Sequence, residues 1–134
     1  MATYATALGA DPYTTYRQID LVGRTAAADG AALVQLLYEE LIGALRVAAW
    51  ATEKRDFGRK SEKVTRATAI LFALESGLDF DTGGEVSHTL SRLYGGARAT
   101  IVNASIGDDP RPFREVADNL EEIAAAWAQI RAAA

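Results

Sequence analysis

Between residues 110 and 131 the apolar residues Phe113, Val116, Leu120, Ile123, Trp127 and Ile130 recur at alternating steps of three and four. That spacing puts them on one stripe of an α-helix, the seam of an antiparallel bundle. The same rhythm appears twice upstream. Val64, Ala67, Leu71, Leu74 and Leu78 carry it through a helix expected over 57–79, and Val86, Leu90, Leu93, Ala97, Ile101 and Ala104 through one over 83–105. Residues 31–54 read as a further helix, with Asp29 placed to accept from its first free amides. Asp109-Pro110 opens the last helix, because proline has no amide to leave unpaired at a first helical position. Only 55–56, 80–82 and 106–109 remain as connections, and connections this short force antiparallel neighbours. The expected fold class is therefore all-α, an antiparallel up-down-up-down four-helix bundle over 29–134. Residues 1–28 are expected to form an N-terminal cap segment. Tyr4, Tyr13, Tyr16, Ile19, Leu21 and Val22 make it too apolar for a solvated tail, and Gly9, Pro12 and Gly23 too broken for a long helix.

What the chain lacks restricts its chemistry. Its 134 residues include no cysteine and one histidine, His88. No disulfide or thiolate ligand is possible, and ordinary histidine-based catalysis has little to work with. No basic stretch leads into an apolar one near the N-terminus, and no run of about 18 apolar residues exists to span a membrane. The reading is a cytoplasmic protein with no membrane insertion. A net charge of −4 speaks against a nucleic-acid partner.

The stretch FDTGGEVSHTLSRLY at 80–94 is where a site would be sought. A phosphate cradle would need a preceding strand and a lysine near Gly83-Gly84, and neither is present. Asp79, Asp81 and Gly84 fall at the first, third and sixth positions of a calcium loop, but Leu90 occupies the twelfth, where a bidentate glutamate belongs. Glu85-x-x-His88 is half of a di-metal carboxylate motif, and a bundle enzyme of that kind needs a second such pair. His88 also lies about 200° round the helix from Val86, away from the core seam. Thr82-x-x-Glu85 reads instead as a capping box. No catalytic residue, metal site or cofactor is expected.

The excess lies in the first helix. Gln35, Glu39 and Arg46 fall within a wedge of about 40° at 100° per residue. Three apolar stripes cover most of the rest: Leu33, Leu37, Leu41, Ala44 and Ala48; Leu36, Gly43, Val47 and Trp50; Val34, Tyr38, Ile42, Leu45 and Ala49. A bundle helix needs one stripe somewhat over about 100° wide. The surplus is covered by the N-terminal segment, by a deep position in the fold, by a second copy, or by another chain lying in a groove. Gly95-Gly96 in the third helix costs about 1 kcal/mol per glycine relative to alanine, which either close approach of another helix compensates or a kink in the helix accompanies. Lys54, Arg55, Arg59, Lys60, Lys63 and Arg66 read as a solvated bundle end.

These segments resemble the flagellar secretion chaperone family, FliS. YRQIDL at 16–21 looks like the family's N-terminal tyrosine motif, and LVQLLYEELIGAL at 33–45 its first-helix signature. LDFDTGGEVSHTLSRLY at 78–94 is similar to its Leu-Asp, Gly-Gly-Glu, Leu-x-x-Leu-Tyr element, and EVADNLEEIAAAW at 115–127 its last helix. The sequence departs after Leu93-Tyr94, where the family continues with an aromatic and paired arginines and this chain has GGARAT. The resemblance implies a non-enzymatic chaperone that binds the disordered C-terminal segment of flagellin in the cytoplasm. It would prevent premature polymerisation and hand the client to a component of the flagellar type III export gate. From the motif match and the apolar excess together, Tyr38, Leu41, Leu45, Leu90, Leu93 and Tyr94 are expected to line the client surface. Tyr13, Tyr16, Ile19 and Leu21 are expected to form the cap or an export-gate contact. The chain is expected to be a monomer or weak dimer. The alternatives are a helical homodimeric adaptor for another client and the di-metal bundle enzyme.

Overall fold

The structure, a computed structural model, describes residues 30–133. Over these, the chain forms α1 (Gly30–Lys54), α2 (Phe57–Ser76), a short α3 (Phe80–Gly83), α4 (Glu85–Ile106) and α5 (Arg111–Ala133), with no strand among the described residues. The four long helices form a ring in which α1 packs on α2 and α5, and α4 packs on the same two. Pairs between them show opposed directions. Arg46 of α1 bonds Asp118 and Glu121 of α5, whereas Glu53, further along α1, meets Arg114, earlier in α5. Likewise Lys60 of α2 reaches Gly107 just past α4, while Glu75 pairs with Arg98 within α4.

The three–four seams face inward as expected. Ala67, Leu71 and Leu74 of α2, Ala97, Ile101 and Ala104 of α4, and Phe113, Val116 and Leu120 of α5 are buried in one core. Val64, Leu78, Leu90, Leu93 and Ile123 pack against its edge. Val86, in α4's first turn, does not join its seam and stands exposed.

The corners differ from expectation. The second helix ends at Ser76 rather than at 79, where the amides of Gly77 and Leu78 turn back to the carbonyls of Ala73 and Glu75. Asp79 then starts a new turn: its carboxylate accepts from the amides of Asp81 and Thr82 and from the Thr82 hydroxyl. Those bonds, the Thr82 amide foremost, hold the Asp79 carboxyl below its ordinary range. The expected capping box at Thr82 and Glu85 does not form, since Thr82 is spent on Asp79 and the chain breaks at Gly84. Gly84 has φ +54°, a conformation that suits glycine. A side chain on Gly83 would collide with Ser87, whose hydroxyl donates to the Asp79 carbonyl. At the other end, Asp109 accepts from the Arg111 amide as expected, although the helix begins at Arg111 rather than at Pro110. The placement of Asp29 lies outside the described residues.

Candidate functional site

The three stripes of α1 separate into two that are used and one that is not. The Leu37–Leu41–Ala44–Ala48 and Tyr38–Ile42–Leu45–Ala49 stripes are buried. Leu36 and Trp50, on the remaining stripe, are 42% and 46% exposed. Leu36, with Gly43 and Val47, lines a groove between α1 and α2 of about 440 Å³. Its lining also carries Glu39, Glu40, Lys63 and Arg66, so an apolar floor has charge on both sides. Arg66 donates through Nε and Nη2 to Glu40 Oε2 at 3.1 and 2.8 Å, tying the two walls together. Arg59 lies 5.9 Å from the centre of the Trp50 ring, at the end of the same stripe. An apolar trough with charged edges is what the apolar face of an amphipathic helix requires.

The expected client residues fall elsewhere. Tyr38, Leu41 and Leu45 are fully buried and Tyr94 is 1% exposed. They are core, because α2 and α5 close over that side of α1. Leu90 and Leu93 are half-buried at the core's edge. The two tyrosines meet across the bundle between the diagonal helices α1 and α4. Their hydroxyls are 2.5 Å apart and their rings edge to face at 6.2 Å. Burial, and then the bond with Tyr38, push the Tyr94 phenol above the ordinary tyrosine range, so it stays protonated. Leu36, Val47 and Trp50, on the remaining stripe of α1, are not among the residues expected to line the client surface. The signal for them was Glu40, which at about 100° per residue falls beside their arc and needs water. Tyr13, Tyr16, Ile19 and Leu21 lie outside the described residues.

Two other features complete the surface. Lys60, expected in the solvated cluster, is buried: its ammonium donates to the Gly107 carbonyl at 2.6 Å and lies 6.0 Å from the Phe113 ring centre. His88 is exposed, as its helical phase implies, with its ring 4.9 Å from that of Phe80. Among the described residues no group of three or more His, Asp or Glu side chains is placed to hold a metal, and no helix is long and apolar enough to cross a membrane.

The fold and groove define an all-α helical bundle with an open apolar groove along α1. The model of the flagellar protein FliS family matches residues 10–134. A flagellar secretion chaperone FliS of Salmonella typhimurium is 31% identical over 116 residues, covering 86% of each chain. FliSB of Pseudomonas aeruginosa, also a flagellar secretion chaperone, is 30% identical, covering 84% of this chain and 89% of its own. The Vibrio cholerae FliS is 28% identical over 86% of this chain and 85% of its own. This chain belongs to the FliS family of flagellar secretion chaperones, a family of chaperones and not of enzymes.

Proposed function

We propose that the chain binds the disordered C-terminal segment of flagellin in the cytoplasm, prevents its premature polymerisation, and delivers it to the flagellar type III export gate. The observation that carries this reading is the open Leu36–Gly43–Val47–Trp50 stripe on a helix whose other apolar faces are used by the core. A client helix with apolar residues at steps of three and four would lay that face along the groove. Its apolar residues would then be unavailable to neighbouring flagellin subunits. Part of the gross interaction energy, about 2–5 kcal/mol, goes to ordering the segment, which keeps the complex releasable. Tyr13, Tyr16, Ile19 and Leu21 would cover the same groove before the client arrives or contact the export gate.

Calorimetric titration with the C-terminal segment of flagellin from the same organism tests this. The expected result is one-to-one saturation with a negative heat-capacity change, abolished by Val47→Glu in a bundle that still melts like the wild type. No heat at several temperatures, together with an empty pull-down by the folded protein, would overturn the reading.

A further inference from the structure

The charges beside the apolar stripe of α1 are sorted along it. Glu39 and Glu40 flank its first half, beside Leu36 and Gly43. Lys54, four residues after Trp50 and therefore on the same side of the helix, ends it at the last turn of α1. The neighbouring α2 runs the other way: Arg66 is level with Glu40, Arg59 is level with Trp50, and Lys63 lies between. Several of these charges are already engaged. Arg66 is spent on Glu40, Arg59 leans on Asp56 at 3.6 Å, and Glu53 is taken by Arg114. Among the described residues Glu39, Lys54 and Lys63 enter no ion pair. Over 53–63 the one carboxylate in the same condition is Glu62, against Lys54, Arg55 and Lys63. The stripe thus starts beside open negative charge and ends in open positive charge. The backbones of α1 and α2 add nothing to that order, because the two helices run in opposite directions and their end charges cancel.

Resting on the client reading given above, we infer that these charges fix the direction of the bound helix: it lies parallel to α1, its N-terminus beside Glu39 and its C-terminus beside Lys54. Any helix presents free amides and about half a positive charge at its N-terminus, and free carbonyls and about half a negative charge at its C-terminus. Laid parallel to α1, the client offers amides to the Glu39 carboxylate and carbonyls to the Lys54 ammonium. Laid the other way, it sets carbonyls against Glu39 and amides against Lys54. The apolar contacts cannot make this choice, since a stripe of steps of three and four reads nearly the same from either end. Glu39 and Lys54 are 15 residues apart. That is about 22 Å at 1.5 Å per residue, so a client helix of about four turns is served at both ends. Lys63, between them, selects a carboxylate on the flank of the client helix that faces α2. Glu39 and Lys54 are exposed, so they decide direction while the stripe supplies most of the affinity.

Paramagnetic tags read the direction. The chain has no cysteine, so a single one can be placed at will. Gly58 and Ser76, both exposed on α2, are 18 residues apart. That is about five turns, which sets them on one line about 27 Å long. A methyl built on Gly58 meets no atom within 4 Å outside its own stretch of helix, among the described residues. The probe is the isotope-labelled C-terminal segment of flagellin from the same organism. The tag on Gly58→Cys is expected to broaden the C-terminal half of the helix lying on α1, and the tag on Ser76→Cys its N-terminal half. Glu39→Lys and Lys54→Glu, each in a bundle that still melts cooperatively, should weaken binding by about three- to tenfold at low salt and by less at high salt. The opposite broadening, or equal broadening from both tags, overturns the inference and leaves the client reading standing. Unchanged affinity in both charge variants at low salt does the same. A segment that gives neither heat nor broadening overturns the client reading, and the inference with it.

Discussion

The outer face of α5 and the outer faces of α1 and α4 were finished differently. On α5 the exposed positions include Arg111, Arg114, Glu115, Asp118, Glu121 and Glu122, and ion pairs bind several of them to α1. On α1 and α4 the exposed positions also include apolar or small residues, Leu36, Gly43 and Trp50, and Ala99, Val102 and Ile106, beside charged ones such as Glu39, Glu40 and Arg92. All three helices bury an apolar stripe, so the difference does not come from folding. A helix that only needs to fold ends its outer face in charge, as α5 does. A helix that also has to be covered by something else leaves apolar atoms in water, and about 25 cal/mol per Å² becomes available to whatever covers them.

The sharpest way to separate the two kinds of apolar residue lies within α1. Leu45→Ala, on the buried stripe, is expected to lower stability by about 2–5 kcal/mol, whereas Leu36→Ala, on the exposed stripe, is expected to lower it by less than about 1 kcal/mol. Urea denaturation of both variants measures this, and equal losses would erase the distinction. Next in size is the diagonal tyrosine bond. Tyr38→Phe leaves the buried Tyr94 hydroxyl without this partner and should cost about 1–3 kcal/mol. The Tyr38→Phe, Tyr94→Phe double variant should lose less than the two single losses added together, as coupled neighbours do. A double-mutant cycle in urea gives the coupling, and simple additivity would mean that the pair does not act as a unit. On the charged side, Arg46→Ala removes two surface ion pairs to α5 and should cost no more than about 1 kcal/mol, less in high salt. Thermal melts at two salt concentrations would show it.

The smallest effect is acid sensitivity at the corners. Asp79 is depressed by bonds from Thr82 and Asp81, and Asp109 by the Arg111 guanidinium and amide. A carboxyl with a lowered folded pKa stabilises above its unfolded value, and loses that contribution as pH falls through the folded one. The melting difference between wild type and Asp79→Ala should therefore be full at neutral pH and close below the ordinary carboxylate range. A difference that stayed constant down to strong acid would remove the charge from the cap's contribution.

The seams were legible because periodicity is a local property: Leu71, Ile101, Phe113 and Leu120 each announce their inward face by spacing alone. The site was only half legible. Three apolar stripes on α1 are equivalent in sequence, and which one stays open depends on where α2 and α5 settle. Tyr38 and Tyr94 looked like surface aromatics because the partner that makes their burial tolerable lies 56 residues away. Lys60 looked solvated for the same reason, its acceptor being the distant Gly107 carbonyl. The Thr82 box failed for a local one: Asp79, three residues earlier, competes for the same hydroxyl and is better placed.

Lys60 also gives the bundle a polarity of stiffness along its axis. Its ammonium locks the start of α2 to the end of α4 and to Phe113 at the start of α5, beside the Glu53–Arg114 pair. All four long helices are thus pinned at one end. Among the described residues, the opposite end has the Asp79 turn and the Glu75–Arg98 ion pair, and both join α2 to α4 alone. Thermal opening should therefore begin at the Asp79 end and travel towards Lys60, grading amide exchange along every helix. The apolar stripe of α1 runs down this gradient, with Leu36 near the yielding end and Trp50 near the clamped one. A helix lying along the stripe would come free most easily from the Leu36 side.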